Sequence, residues 1–202
     1  LSRMTLASQY SAAAYCPDNN NSPGTTITCD PGQACPLISS SPNITSIHEF
    51  ENLGEAGMTG VIILDHTHRT IALAFRGSSS TSNWRACFLV EPVPWEDLCR
   101  GCRVHAGFRN AWDAARVQAE FWLRRAVREH PDYLLVIAGH SFGGAVAMLA
   151  AADLRRQREL GKALLFTFGP PRVGNAELAR YLEGSGGNFR FTHGADPVPH
   201  LP

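Results

Sequence analysis

The hydrophobic pattern of the chain changes period several times, and each change marks an element. Gly60-Val61-Ile62-Ile63-Leu64-Asp65 and Thr70-Ile71-Ala72-Leu73-Ala74-Phe75-Arg76 are short apolar runs separated by polar His66-Thr67-His68-Arg69. They predict two strands joined as a hairpin. From Arg109 to His130 the period becomes helical, with Ala111, Ala114, Ala115, Ala119, Trp122, Leu123 and Val127 as a buried stripe and Pro131 as the stop. Leu134-Leu135-Val136-Ile137-Ala138 is continuously apolar, as a strand buried on both faces is. An Ala-rich helix follows from Gly144 to about Arg158, its apolar face Val146, Leu149, Ala150 and Leu154. Its arginine run, Arg155, Arg156 and Arg158, reads as a solvated last turn matched to the helix dipole. Lys162–Phe168 is the next strand, Asn175 caps a helix to about Glu183, and Asn188–Thr192 is a last strand. At the other end, residues 2–15 read as a helix through Leu6, Tyr10, Ala13 and Ala14, stopped by Cys16-Pro17. Residues 17–46, rich in Asn, Ser, Pro and Gly, are expected to wrap as loop over the sheet edge. No internal repeat is present. Strands and helices in alternation, with right-handed crossovers, predict a single α/β domain over residues 1–202: a mixed, mostly parallel central sheet flanked by helices.

Composition narrows the class. The chain has 202 residues with 18 Lys+Arg against 18 Asp+Glu. Zero net charge argues against nucleic acid as a partner and against charge-driven membrane binding. No apolar run reaches spanning length, so no transmembrane segment is expected. The chain starts at Leu1 without a signal-peptide pattern, which suggests a mature or trimmed form. Of six cysteines, Cys29 and Cys35 bracket a Pro/Gly-rich loop, and Cys99 and Cys102 are a close pair. A zinc site is the rival reading for these four, but no histidine or second C-x-x-C lies at finger spacing, so no metal is expected. Asn20-Asn21-Ser22 and Asn43-Ile44-Thr45 are glycosylation sequons. Together with the cysteines they favour an oxidising, extracellular setting.

The chemistry concentrates where the continuous apolar run ends. Gly139-His140-Ser141-Phe142-Gly143 joins a strand to a helix, the context a nucleophile elbow requires. The turn would lift the Ser141 hydroxyl above the strand ends, with Gly139 and Gly143 bare because strand and helix pass too close for a Cβ. The helix N-terminus favours negative charge, and the Phe142 N–H would point at a developing oxyanion. The bland alternative, a Gly-rich turn with an incidental serine, fits the flanking elements less well. Ser78, after Gly77 at a strand end, would offer an N–H and a hydroxyl to the same oxyanion; on the residues alone a Ser-rich surface turn reads as well or better. Thr81 to Phe88, with apolar Trp84, Cys87 and Phe88, is too short for a core helix and suits a hinged lid. Asp196 stands after the last strand, where an acid in a Ser-Asp-His order belongs, although an Asx cap on a proline turn would use the same residue. The base is missing. Only His200 follows Asp196, and Pro197-Val198-Pro199 is biased to extended backbone, placing the two Cα atoms about 13 Å apart. The His140 ring should point away from Ser141, His105 and His193 read as structural, and His66 and His68 as exposed turn residues. Cys16 and Cys87 either pair with each other, or Cys16 awaits a partner beyond residue 202.

Taken in order, several segments resemble the class 3 lipases, the secreted fungal triacylglycerol lipase type. They are Phe75-Arg76-Gly77-Ser78, Cys99-Arg100-Gly101-Cys102, His105-Ala106-Gly107-Phe108, Gly139-His140-Ser141-Phe142-Gly143-Gly144-Ala145, Gly169-Pro170-Pro171-Arg172-Val173-Gly174-Asn175 and Asp196-Pro197-Val198-Pro199-His200-Leu201-Pro202. The resemblance spans essentially the whole chain. It implies an α/β-hydrolase fold and a secreted ester hydrolase acting on acylglycerols at a lipid–water interface without a cofactor. It implies Ser141 as nucleophile, Asp196 as triad acid, and Ser78 and Phe142 as oxyanion donors. Thr81, Ser82, Asn83, Trp84, Arg85, Ala86 and Cys87 match a lid, and Cys29–Cys35 and Cys99–Cys102 match family disulfides. Cys16 matches a cysteine whose partner lies near the family's C-terminus. Phe142 stands where Leu is common. The family's catalytic histidine lies well past the Val-Pro-x-Leu-Pro motif, so it is expected beyond residue 202. The same fold also carries feruloyl-type esterases, and without its base the chain would be a non-catalytic lipid binder.

Overall fold

The computed structural model describes residues 2–20, 22–29, 34–78 and 91–201. In chain order the elements are helix α1 (Ser2–Ala13), a short α2 (Pro36–Ser39), strands β1 (Ile44–Leu53), β2 (Met58–Asp65), β3 (Thr70–Phe75), β4 (Pro92–Pro94) and β5 (Arg103–His105), the long helix α3 (Ala106–Glu129), β6 (Leu134–His140), α4 (Phe142–Leu154), β7 (Leu164–Phe168), α5 (Ala176–Ser185) and β8 (Asn188–Phe191). Six strands form one sheet in the order β1-β2-β3-β6-β7-β8, and β4 pairs with β5 apart from it. The β1–β2 and β2–β3 pairs are antiparallel; β3–β6, β6–β7 and β7–β8 are parallel.

Both faces of the sheet are covered, which is why its central strands read as unbroken apolar runs. Ile62, Ile71, Leu73, Phe75, Leu135 and Ile137 pack with Phe108, Ala111, Trp112, Ala115 and Ala119 of α3 and most of α4. Their alternates Val61, Ile63, Ala72, Ala74, Val136 and Ala138 face Ala7, Tyr10 and Ala13 of α1 and Cys29 and Cys35. Three alanines on that face leave room for α1 to lie close, and the chain leaving α1 reaches the ends of β3 and β6. Cys29–Cys35 and Cys99–Cys102 are disulfides, and Cys16 is free.

Three expectations need correction. The segment 17–46 covers the sheet edge through Thr26 bridging Thr45, but Ile44 to Leu53 is itself a strand, β1. Register shifts between Ser46 and His48 and between Phe50 and Leu53 break its alternation, so period 2 is lost in the sequence. Helix α4 is buried nearly all round rather than along one face, and it stops at Leu154. Arg155 is not solvated: it is 8% exposed. Its guanidinium donates to the carbonyls of Ala163 and Gly187 and to Asn188 Oδ1, tying the end of α4 to the starts of β7 and β8. The Thr81–Cys87 segment lies outside the described residues. Among those described, no helix is long and apolar enough to cross a membrane. Of the two sequons, Asn43 is exposed and Asn20 half-buried.

Candidate active site

The parallel strands deliver their ends to one rim. Phe75 of β3 pairs with Gly139 of β6, and His140 pairs with Phe168 of β7. Ser141 follows at once, with φ 54° and ψ −124°, a region that non-glycine residues occupy at a cost of about 1–3 kcal/mol. Packing enforces it. The Ser141 N–H donates to Phe168 O at 2.9 Å and its carbonyl accepts from Ala145 N–H at 3.1 Å. A Cβ on Gly139 would run into the Gly143 backbone, and one on Gly143 would lie 2.6 Å from Arg76 O. The glycines of the elbow are therefore required twice, once where strand meets its own helix and once where that helix meets the end of β3. Ser141 is half-buried, while Phe142 is 1% exposed, with its ring edge-on to Phe108 at 5.8 Å.

The chain beyond β3 passes directly beside this turn. Arg76 N–H donates to Thr59 O at 2.9 Å, Gly77 is buried and Ser78 is half-buried. Because Gly143 packs on Arg76, the loop bearing Ser78 and the helix N-terminus bearing Phe142 are in contact. Ser78 follows two residues after that contact. An anion held there would meet backbone N–H groups and the positive end of α4.

Asp196 reaches the same rim from beyond β8. Gly169 N–H donates to Phe191 O at 2.8 Å, and Asp196 Oδ2 lies 3.0 Å from where a Gly169 Cβ would be. The His140 ring atoms Cδ2 and Nε2 are 3.9 Å from that same point. Oδ1 accepts the Val198 N–H at 3.0 Å, so one carboxylate oxygen caps the proline turn and the other faces the rim. The turn differs from the extended segment that its prolines predict: Pro197 is helical (φ −72°, ψ −24°) and Val198–His200 form a 3-10 turn. The Asx cap at Asp196 supplies the local force for that bend.

The eight histidines are accounted for elsewhere. His48 stacks on Trp122, His66 packs on His130 and Tyr133, His68 bonds Asp65, and His105 stacks on Phe108 at 3.9 Å. His140 Nδ1 meets the Tyr15 hydroxyl at 2.7 Å. Burial lowers the His140 pKa below its ordinary value, outweighing the opposing charge of Asp196. His193 and His200 are exposed. Among the described residues no histidine hydrogen-bonds Ser141 or Asp196, and no group of three metal-ligating side chains occurs. Sequence reasoning missed Tyr15: a tyrosine beside a helix-stopping Cys-Pro carries no local mark of lying against β3 and β6.

Known proteins resemble this chain in sequence and in fold. The model of the family described as Lipase (class 3) matches residues 72–202. Secreted mono- and diacylglycerol lipase A of Penicillium cyclopium is 41% identical over 196 residues, covering 96% of this chain. Secreted mono- and diacylglycerol lipase 1 of Fusarium solani is 34% identical over 204 residues, covering 100% of this chain. The chain spans 63% and 59% of the lengths of these two relatives. The crystal structure of a mono- and diacylglycerol lipase from Aspergillus oryzae superposes with TM-score 0.90 at 37% identity, over 99% of this chain and 73% of that one. The sheet order and flanking helices are those of the α/β-hydrolase fold. On its sequence, its fold and the placing of its elbow, this chain belongs to the class 3 lipase family.

Proposed function

We propose that the chain is the larger part of a secreted serine hydrolase that cleaves acylglycerol esters, with partial glycerides as preferred substrates. The observation that carries this reading is Ser141, held at φ 54° in a strand–helix turn whose Gly143 packs on the backbone of Phe75 and Arg76. Ser141 Oγ attacks the ester carbonyl while a histidine takes its proton. The alcohol leaves with that proton, and water then releases the fatty acid from the acyl-serine. The Ser78 and Phe142 N–H groups, with the Ser78 hydroxyl, hold the tetrahedral oxyanion; each donor is worth about 10²–10³ in rate. Asp196 orients that histidine through Oδ2; among the described residues no histidine hydrogen-bonds Ser141 or Asp196, and the chain spans 63% and 59% of the lengths of its two relatives. Thr81–Cys87 acts as the lid. The preference for mono- and diacylglycerols, and the extracellular location, rest on the secreted mono- and diacylglycerol lipases that are 34–41% identical to this chain.

The test uses the protein as its source produces it. A fluorophosphonate should label Ser141 and not the Ser141→Ala variant. Emulsified monoolein and diolein should be hydrolysed faster than triolein or a feruloyl ester. Absent labelling in a protein whose intact mass exceeds that of residues 1–202 would remove the enzyme reading and leave a lipid-binding relative.

A further inference from the structure

The Tyr15 side chain is unexplained by the machinery above, and it stands at the junction of that machinery's two halves. Its ring comes from the end of α1, far in sequence from both. Its hydroxyl fills the space where Gly77 would carry a side chain: a Cβ on Gly77 would overlap the phenol oxygen and lie 2.8 Å from the His140 carbonyl oxygen. On its other side the hydroxyl meets His140 Nδ1 at 2.7 Å. Gly77 immediately precedes Ser78, and His140 immediately precedes Ser141. One oxygen atom therefore touches the residue before a donor and the residue before the nucleophile.

We propose that Tyr15 is a positioning residue: its hydroxyl, set between Gly77 and His140, fixes the Ser78 donor loop against the nucleophile elbow. The role rests on Ser78 and Ser141 acting as proposed above. The phenol donates its proton to Nδ1 while its oxygen packs against Gly77, an arrangement that needs a protonated phenol and a neutral imidazole. Partial desolvation where the two side chains meet favours both, raising the phenol pKa and lowering that of the imidazole. A phenylalanine would keep the ring but lose the oxygen that spans Gly77 and His140, leaving the Gly77–Ser78 peptide free to shift. The donor would then be misplaced rather than deleted, so the loss should stay below the about 10²–10³-fold of outright donor removal.

In the protein as its source produces it, Tyr15→Phe should lower kcat for p-nitrophenyl butyrate by about tenfold with KM unchanged. Inactivation by diethyl p-nitrophenyl phosphate, whose tetrahedral adduct uses the same donors, should slow by the same factor. His140→Ala removes the acceptor and leaves the phenol; it should give a similar fall, and the double variant no more than either alone. Wild-type kcat in Tyr15→Phe, a change in KM alone, or multiplying losses in the double variant would each overturn the assignment. The control separates the two readings. If wild type shows no turnover that Ser141→Ala abolishes, the hydrolase reading falls; if it does and Tyr15→Phe matches it, only the tether falls.

Discussion

Gly143→Ala tests whether the elbow is fixed by contact with the end of β3. An added Cβ would overlap Phe75 O and approach Arg76 O to 2.6 Å and Arg76 C to 2.7 Å, against ordinary contact from 3.4 Å. These neighbours are strand-end backbone and cannot swing aside as a side chain would. Restoring contact needs a displacement of about 1 Å, set by Phe75 O, between the first turn of α4 and the strand leading to Ser78. Overpacking of this kind costs about 1–3 kcal/mol of stability. For a chain of this size that lowers Tm by roughly 2–12 °C. A misplacement approaching 1 Å between nucleophile and donors costs about 100-fold in turnover. The activity loss should therefore exceed what unfolding explains, because at 20 °C the variant remains folded. Gly184→Ala in α5 is the control: no atom lies within 4 Å of its Cβ position, and the helix should gain about 0.5 kcal/mol or nothing. Thermal unfolding and kcat on p-nitrophenyl butyrate at 20 °C read both quantities. A Gly143→Ala protein with wild-type kcat would refute the claim that this contact sets the site.

Two other outcomes follow from Arg155 and His140. Arg155→Lys keeps the charge but loses the fork, leaving at least one of the Ala163 and Gly187 carbonyls unpaired; it should destabilise by about 1–3 kcal/mol without changing KM, measured by urea unfolding beside ester kinetics. Wild-type stability would mean that water replaces the fork freely. His140 should add an acid-sensitive slope. Its folded pKa lies below 6.5, so the unfolded chain binds the proton more readily; stability from this group is complete above that value and lost as pH falls below it. Tm should drop more steeply below pH 6.5 in wild type than in His140→Asn, and parallel profiles would refute the linkage.

What the sequence shows clearly is whatever a single period or turn encodes. The β2–β3 hairpin, the α3 stripe and the elbow each carry local marks, and all lie where those marks put them. Ile44–Leu53 escaped because two register shifts scramble its alternation, and Arg155 because a helix-terminal arginine looks solvated until β7 and β8 close over it. The 3-10 turn after Asp196 escaped for a different reason: one carboxylate oxygen overrides the extended bias of two prolines. Ser78 was undecided from its neighbours alone, since only the packing of Gly143 on Arg76 brings the chain two residues before it to the elbow. Tyr15 was invisible for the same reason, its partners being distant in sequence.

The parallel register of β3 with β6, Phe75 opposite Gly139, has an evolutionary corollary. The strand ends that lead into Ser78 and into Ser141 are aligned by sheet pairing. Changes of length outside β3 and β6 leave that alignment in place, so the chain on one side of the rim can vary while the strand–helix turn on the other is kept.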